Sequence, residues 1–382
     1  MKRRYTAALT LIISVSLFSC TTVKAPMQTV PGLTGVHYLG EYNISYNMNF
    51  RNTVVGGLSG IDYDALHNEY YLISDDRSDN NPARFYTAKI FFTPAGIDSV
   101  NFTGVQSMLQ SNGSVYPNKK QDRLHTPDPE DIRYNAANGM LVWSSEGERI
   151  VRAKDTVLED PSINLIATNG KYVGSFPLPS NMHMHATEQG PRQNGVFEGL
   201  SFADDYKTLF VSVEEPLYED GPRAELTDNN AFIRILKFNT KTKKNTAQYA
   251  YKLEPVAHAP DPATGFKVNG VPDILSIGNN KLLVIERSFS TGRAACTIKV
   301  FITDYSQATD ISNQTLKGNQ NFIPASKKLL MNMDDLGIYI DNIEGFCFGP
   351  LLPNGHKTLL FISDNNFSEI QKTQLMLFEL IE

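Results

Sequence analysis

Short alternating runs of apolar and polar residues, rather than long helical repeats, dominate the chain after residue 35. These runs are rich in β-branched and aromatic residues, and turn-forming pairs such as Asn138-Gly139 and Asn354-Gly355 separate them. Alternation with a period of two places one face of a strand in a core, and an Asn-Gly pair favours a tight hairpin. The pattern therefore predicts an all-β domain built from hairpins.

One hairpin pattern occurs five times. Each copy has an alternating apolar strand, a turn rich in Asn, Asp or Gly, a second apolar strand and a final carboxylate. The copies are SGIDYDALHNEYYLISD (59–75), EDIRYNAANGMLVWSSE (130–146), EGLSFADDYKTLFVSVE (198–214), DILSIGNNKLLVIE (273–286) and EGFCFGPLLPNGHKTLLFISD (344–364). Repetition at intervals of about 70 residues is typical of radially repeated sheets. We predict a single β-propeller with five motif-bearing blades; a sixth blade without the motif stays open.

Carboxylates recur at both ends of this hairpin. The second strands end in Asp75, Glu146, Glu214, Glu286 and Asp364. The first strands begin with Glu130, Glu198, Asp273 and Glu344, with Ser59 as the exception. In an antiparallel hairpin the start of the first strand lies beside the end of the second. We therefore expect these acids to converge on one mouth of the propeller.

Carboxylates gathered in this way predict a bound cation. Like charges raise one another's pKa unless a cation neutralises them, and hard oxygen donors from several strands suit Ca²⁺ best. The predicted metal ligands are Asp75, Glu130, Glu146, Glu214, Glu286 and Asp364. Glu198 and Glu344 are predicted to be catalytic. The alternative is that each acid caps its own hairpin by accepting hydrogen bonds from neighbouring backbone N–H groups.

Arginines lie close to these acids in the sequence. Arg287 directly follows Glu286 and is predicted to steady an anion during catalysis, because a guanidinium can hold phosphate or carboxylate by two parallel hydrogen bonds. Arg77, Arg84 and Arg192 are predicted to bind the same ligand. The alternative for each arginine is that it serves only as the counter-ion of a nearby acid.

The N-terminus resembles an export signal. Residues 1–19 combine a basic start with a short apolar stretch, and Leu17-Phe18-Ser19-Cys20 resembles a lipobox, which predicts lipidation of Cys20. A tether over 20–35 and a domain over 36–382 would follow. The predicted location is the bacterial cell envelope, anchored to the outer membrane and facing the periplasm or the surface. A plain secretory signal, with Cys20 incidental, is the alternative.

The charge balance narrows the range of partners. The formal net charge is −6, and removing residues 1–19 takes away three basic residues and no acid, which leaves −9. An acidic surface argues against nucleic acid and anionic membranes as partners and suits cations. We expect a small anionic substrate, and contact with the membrane only through the lipid. Cys296 and Cys347 lie in apolar runs and are predicted to be buried free thiols, with a disulfide as the alternative.

Several blocks of the sequence resemble a known family. In order along the chain they are LSGIDYD, ISDDRS, ARFYTAKI, PDPEDIRY, FEGLSF, LLVIERSF, NIEGF and LLFISDNNF. Together they resemble the signature blocks of the bacterial phytase-like family, also labelled "esterase-like activity of phytase". The resemblance implies a β-propeller and, through the calcium-dependent propeller phytases, hydrolysis of phosphate esters.

Two functional hypotheses follow. The first is a Ca²⁺-dependent hydrolase of phosphate esters or related small anionic esters, with a sugar-lactone hydrolase as a chemical variant. The second is a non-catalytic propeller that binds a ligand or a partner, with structural carboxylates. A serine esterase is not indicated, because the chain contains no G-x-S-x-G motif.

Overall fold

The computed structural model describes residues 27–93, 96–319 and 321–382. Their regular structure is almost entirely β, with two short 3₁₀ turns at Ser180–Met182 and Met333–Leu336. Within these ranges no helix has the length and apolar character needed to cross a membrane. The predicted signal peptide and the predicted lipidation site at Cys20 lie outside the described residues.

Five antiparallel sheets form the blades of a propeller, which confirms the predicted fold. Three strands precede the first blade, namely β1 (Gly35–Ile44), β2 (Asn49–Phe50) and β3 (Thr53–Val54). Blade 1 contains β4 (Leu58–Asp64), β5 (Glu69–Ser74), β6 (Arg84–Thr93) and β7 (Gly96–Ser107). Blade 2 contains β8 (Pro129–Asn135), β9 (Met140–Ser145), β12 (Ser162–Ala167) and β13 (Tyr172–Ser175), and the ribbon β10 (Glu148–Ile150) and β11 (Val157–Glu159) extends from it.

The remaining strands complete the ring. Blade 3 contains β14 (Phe197–Ala203), β15 (Thr208–Val213), β16 (Phe232–Asn239) and β17 (Asn245–Lys252). Blade 4 contains β18 (Lys267–Gly270), β19 (Ile274–Gly278), β20 (Lys281–Ser290), β21 (Thr297–Asp304) and β22 (Ser326–Asn332). Blade 5 contains β23 (Asn342–Phe348), β24 (Thr358–Asp364), β25 (Thr373–Ile381) and β1. The described residues therefore form five blades.

The two ends of the domain meet in blade 5. Strand β1 pairs antiparallel with β25 from Gly35 opposite Ile381 to Ile44 opposite Thr373. This pairing closes the ring, because the first strand of the domain becomes the outermost strand of the last blade. Part of the predicted tether belongs to the domain: Val30 is fully buried, and its N–H donates to the carbonyl of Ile277 at 3.0 Å.

The innermost strands surround the propeller axis. They are β4, β8, β14, β19 and β23, and each lies against its neighbours around the ring. The clearest case is β14, in which every residue is buried, because both faces of an inner strand pack against adjacent blades. Glycine is required where these strands approach most closely. A Cβ atom on Gly199 would lie 2.5 Å from the Cα of Asp273 in the next blade.

A single buried arginine joins all five blades at the axis. Arg133 of blade 2 donates two hydrogen bonds to Asp273 of blade 4, at 2.7 and 2.6 Å. It also donates to three carbonyl oxygens, one each in blades 3, 1 and 5: those of Leu200 at 2.6 Å, Ile61 at 2.5 Å and Phe346 at 3.1 Å. Its charge is further balanced by Asp131, 3.1 Å away. A buried charge is tolerated only when it is paired and fully hydrogen-bonded, and here the ring supplies both.

Candidate metal centre at the mouth of the propeller

Two positions in each blade form one mouth of the propeller, and strand register identifies them. Equivalent pairs between the inner strand and the second strand are Ile61–Leu72, Ile132–Trp143, Leu200–Val211, Ile274–Val284 and Phe346–Phe361. The first mouth position in each blade lies two residues before the inner-strand residue of the pair, and the residues there are Ser59, Glu130, Glu198, Pro272 and Glu344. Three residues after the second members lie Asp75, Glu146, Glu214, Arg287 and Asp364. We call the seven acids among these positions the carboxylate ring.

Blade 4 departs from the predicted pattern by one residue in both strands. Asp273 was expected at the mouth, but Pro272 occupies that position and Asp273 binds Arg133 at the axis. Arg287 likewise stands where Glu286 was expected. A shift of one residue turns a strand side chain to the opposite face, so Glu286 points into blade 4, where it accepts hydrogen bonds from Lys327 at 2.6 Å and Tyr251 at 2.7 Å.

The carboxylate ring is most crowded between blades 1, 2 and 3. Oxygen atoms of Glu130, Glu146 and Glu198 all lie within 4.8 Å of one another. Oxygen atoms of Asp75, Asp128 and Glu130 form a second group with the same spacing, so Glu130 belongs to both. Among the residues that the structure describes, these are the groups of three acidic, histidine or cysteine side chains able to share a metal ion. His183, which lies two residues before His185, pairs with Asp160 at 2.6 Å.

Burial and mutual repulsion perturb these acids strongly. Burial, followed by the negative charges of Glu198 and Asp75, raises the pKa of Glu130 well above its usual value. Burial and the charge of Asp128 raise the pKa of Glu146 to about 8. The pKa of Asp128 rises to about 6, mainly through burial and partly offset by Arg77. Without a cation, this side of the mouth therefore holds protons near neutral pH, and a bound cation would displace them.

Some ring acids also stabilise the blades locally. One carboxylate oxygen of Glu146 accepts the N–H of Val196 in the next blade at 2.6 Å. One oxygen of Asp364 accepts the N–H of Asn366 at 2.7 Å. The bond to Asp364 is the kind expected of a hairpin cap, whereas the bond to Glu146 joins two blades. Each uses one carboxylate oxygen and leaves lone pairs on the other, so capping and metal binding are compatible.

Arg287 neutralises the opposite side of the mouth. Its guanidinium donates to Glu214 at 2.6 Å, to Asn342 at 2.6 Å and to Glu344 at shorter range. The Nε atom of Arg287 is buried and makes no hydrogen bond to the described residues. Arg287 therefore pairs with Glu214 and Glu344, whereas it forms no ion pair with the crowded acids Glu130, Glu146 and Glu198.

The three arginines predicted to bind ligand lie in different environments. Arg77 lies at the mouth, 3.2 Å from Asp128 and 3.4 Å from Glu148, and its Nε and Nη2 atoms are buried without a described hydrogen-bond partner. Arg84 is 1% exposed and pairs with Asp76 at 2.6 Å inside blade 1. Arg192 lies outside the ring, where it stacks on Tyr218 at 4.2 Å and donates to the carbonyl of Pro216. Of these three arginines, Arg77 alone lies at the mouth, where Arg287 also lies.

Comparison with known proteins identifies the family. Residues 53–367 match the family described as "Phytase-like: Esterase-like activity of phytase". The chain belongs to the phytase-like family. An "Uncharacterized secreted protein" of Arthroderma benhamiae is 27% identical to the phytase-like chain over 151 residues, which span 37% of this chain and 30% of the relative.

Two solved structures illustrate the similarity in shape. A thermostable family-43 glycoside hydrolase shares 10% identity at a TM-score of 0.45, over 85% of this chain and 90% of its own. The periplasmic gluconolactonase PpgL of Pseudomonas aeruginosa shares 10% identity at a TM-score of 0.38, over 83% of this chain and 80% of its own. Because both scores are below 0.5, the five-bladed ring rests on the strand pairing described above.

The sequence patterns missed three residues of this phytase-like propeller, one at the mouth and two at the axis. Asp128 joins the acids at the mouth although it lies two residues before the repeated hairpin. At the axis, no other copy of the repeat has an arginine in place of Arg133, and only Asp273 provides an acid in place of Asp131. The PDPED block contains both Asp128 and Asp131, so its high density of acids was the available signal. Cys296 and Cys347 are buried free thiols, which confirms that expectation.

Proposed function

We propose that this phytase-like propeller is an exported hydrolase of phosphate esters or related small anionic esters, and that it uses Ca²⁺ held by the carboxylate ring. One observation carries the proposal: two groups of three carboxylates, each with oxygen atoms within 4.8 Å of one another, share Glu130 and together draw on blades 1, 2 and 3. Such a group is costly unless a cation occupies it. The free-energy cost of burying these carboxylates together is explained if their function is to bind a cation.

The residues present fit a calcium ion. All the candidate donors are carboxylate oxygens, which are ligands that Ca²⁺ prefers. They come from several strands of the propeller. Glu130 and Glu146 would hold the ion, with Asp75 and Asp128 on the side of blade 1, and Glu198 would lie beside it. When bound, Ca²⁺ supplies Lewis-acid polarisation of the ester and positive charge for the transition state.

The protein's own residues would orient the substrate and move protons. The Nε of Arg287 and the Nε and Nη2 of Arg77 make no hydrogen bond to the described residues, so each guanidinium keeps donors for an anionic group. Burial, together with Glu214 and Glu146, raises the pKa of Glu198, so this carboxyl can hold a proton for the leaving oxygen. Glu344 is oriented by Arg287 and by Asn342, whose amide donates to it at 2.9 Å.

Export and lipid anchoring form part of the same proposal. The Arthroderma benhamiae relative is described as a secreted protein, and this description supports export of this chain. The basic and apolar start with its lipobox-like end supports attachment through Cys20. We place the domain in the cell envelope, at the outer membrane, facing the periplasm or the surface.

A non-catalytic binding module is the second candidate. The hydrogen bond from Val196 to Glu146 and that from Asn366 to Asp364 favour it, because they give two ring acids a structural role without any ion. Under this hypothesis the protein would bind an ion or a partner without turning over an ester.

A screen for activity separates the two candidates. The mature protein is stripped of metal with a chelator and tested on phosphomonoesters, phosphodiesters and lactones, with and without added Ca²⁺. We expect hydrolysis of at least one ester class that is lost with chelator and restored by Ca²⁺. Calcium binding without hydrolysis of any of these classes would favour the binding module, and hydrolysis that is indifferent to chelator would refute the proposed use of the ring.

A further inference from the structure

A ribbon formed by β18 and the second half of β20 extends from the mouth at Arg287. There β20 pairs with β18 in place of β19, so that Arg287 lies opposite Gly270, Phe289 opposite Val268 and Ser290 opposite Lys267, while Arg287 and Ser288 also pair with β21. Successive residues of a strand alternate between its faces. Arg287, Phe289 and Val268 therefore share one face of the ribbon.

The opposite face of the ribbon is occupied by the blade. Asn269 donates to Glu286 at 2.7 Å, and the hydroxyl of Ser288 accepts the N–H of Ala257 at 2.9 Å. These contacts fix the ribbon in place. The face that carries Arg287 is left to line an open cleft.

This face carries apolar side chains outward from the carboxylate ring. Val268 and Phe289 line a cleft with an empty volume of about 1060 Å³, together with Ala294 and Cys296. Phe266 precedes β18, also lines the cleft and is 61% exposed, and its ring lies 6.3 Å from that of Phe289. We call this space the ribbon cleft. An aromatic pair beside a charged centre is a surface that a ligand's apolar group can cover.

The charges of the ribbon cleft limit what it can hold. Its two arginines are each paired with a glutamate: Arg287 with Glu214 at 2.6 Å, and Arg223 with Glu215 at 2.7 Å. Asp341 adds a further negative charge to the lining. The lining thus has three carboxylates and two guanidinium groups, so it would repel a ligand with many anionic groups but not a neutral apolar group.

We propose that the ribbon cleft binds the apolar organic group of a singly anionic ester whose reacting group lies at Arg287. The inference rests on the proposed function, because that function places the reacting group at the mouth. It adds the substrate class: esters with one anionic centre and a ring-sized apolar group, in preference to small or polyanionic esters. Phe266 and Phe289 are then specificity-determining residues.

Two non-hydrolysable probes test the cleft separately from catalysis. Phenylphosphonate and methylphosphonate carry the same anionic group and differ in the apolar part. Calorimetric titration of the mature protein with Ca²⁺ present should show phenylphosphonate binding at least about tenfold more tightly, as burial of a phenyl group predicts. Phe289→Ala and Phe266→Ala should each weaken phenylphosphonate at least about fivefold and leave methylphosphonate within about twofold.

Two further variants make the result specific to the cleft. Phe289→Leu retains apolar volume and should restore most of the preference that Phe289→Ala loses. Phe91→Ala removes an exposed phenylalanine from blade 1 and should change neither affinity. Because Phe266 is largely exposed, its alanine variant is expected to fold even if the Phe289 variants do not.

The outcomes distinguish this inference from the proposed function. Equal affinity of the wild type for both probes, no binding of either probe, or equal loss of both affinities in the Phe266→Ala variant, would overturn the ribbon-cleft proposal. Preferential binding of phenylphosphonate without hydrolysis of any ester would support the cleft and reject the hydrolase. Calcium-dependent hydrolysis with no preference for the phenyl group would reject the cleft and leave the hydrolase standing.

Discussion

Arg287 of blade 4 occupies the position that Glu214 occupies in blade 3, and its guanidinium donates to that glutamate at 2.6 Å. The exchange of an acid for an arginine makes the mouth asymmetric. Glu214 and Glu344 both pair with Arg287, whereas no arginine that the structure describes forms an ion pair with Glu130, Glu146 or Glu198. The proposed cation site and the proposed anion site would thus lie side by side across one mouth, as hydrolysis of an anionic ester requires.

Arg287→Lys separates the anion site from the cation site. Lysine keeps the positive charge but cannot make the forked contacts to Glu214 and Glu344. We expect Ca²⁺ affinity to stay within about threefold, while kcat/KM for the best ester found in the screen falls about 100-fold, the scale for loss of one stabilising donor. Arg152→Lys, at a 72% exposed side chain, is the matched control. Equal loss of Ca²⁺ affinity and turnover would mean that Arg287 only supports the ring.

The raised pKa values of Asp128 and Glu146 predict how the free energy of unfolding depends on pH. The folded-state pKa values of Asp128 and Glu146 are raised to about 6 and about 8, from 3.8 and 4.5. The folded state therefore binds more protons between pH 4 and 8, and its free energy of unfolding falls as pH rises through that window. Thermal melts of chelated protein should show a falling Tm from pH 5 to 8. Saturating Ca²⁺ should flatten the slope, and a rising Tm in chelator would contradict the pKa directions.

Arg133 is predicted to be the most costly single residue to remove from the axis. Arg133→Met would leave Asp131 and Asp273 buried without their cation. Breaking a buried pair in this way typically costs about 3–5 kcal/mol. Urea denaturation of Arg133→Met and of Arg152→Met, an exposed control, should differ by that amount in the free energy of unfolding. A difference below about 1 kcal/mol, within the range of ordinary substitutions, would show that the ring closes without this arginine.

The lipid anchor is tested by one substitution. Full-length Cys20→Ala, expressed with its own signal, should move from the detergent-soluble membrane fraction to the soluble periplasmic fraction, because the thiol that carries the lipid is gone. Cys296→Ala, at a buried free thiol, is the control and should stay with the membrane. A wild-type protein already soluble in the periplasm would instead indicate a plain secretory signal.

The alternating hairpins predicted the propeller and most of the carboxylate ring, because each repeat fixes its own register through a buried strand and a tight turn. The prediction failed in blade 4, because Asp273 and Glu286 were aligned with the acids of the other repeats by their charge alone. There β20 runs on past the mouth to pair with β18, and the true equivalent of Glu214 is Arg287 rather than Glu286. No local pattern marks where a continuous strand crosses the mouth.

The buried position of Arg133 at the axis was not predicted, for a different physical reason. An arginine within the half-polar segment EDIRY is typical of a solvent-facing strand position. Only closure of the ring brings the inner strands of five blades around one side chain and supplies it with Asp273 and three carbonyl oxygens. That environment is assembled from residues up to 213 positions apart, so nearby sequence does not show it.

The central claim is that the carboxylate ring is a cation site, and Glu130 is its most informative member because it belongs to both groups of donors. Glu130→Gln keeps the side chain's shape and removes one negative charge. In chelator it should melt higher than the wild type at pH 8, because repulsion is relieved, yet gain less from Ca²⁺. Glu369→Gln makes the same charge change at an exposed position and serves as the control.

The most direct measurement is the melting of chelated wild type, Glu130→Gln and Glu369→Gln proteins at pH 8, before and after addition of Ca²⁺ at a hundredfold excess over Kd. The account predicts stabilisation of the wild type and Glu369→Gln by about 2.7 kcal/mol, and a clearly smaller gain for Glu130→Gln. If Ca²⁺ leaves the wild-type Tm unchanged and Glu130→Gln melts like the wild type in chelator, the ring acids are hairpin caps and the proposed hydrolase loses its metal centre.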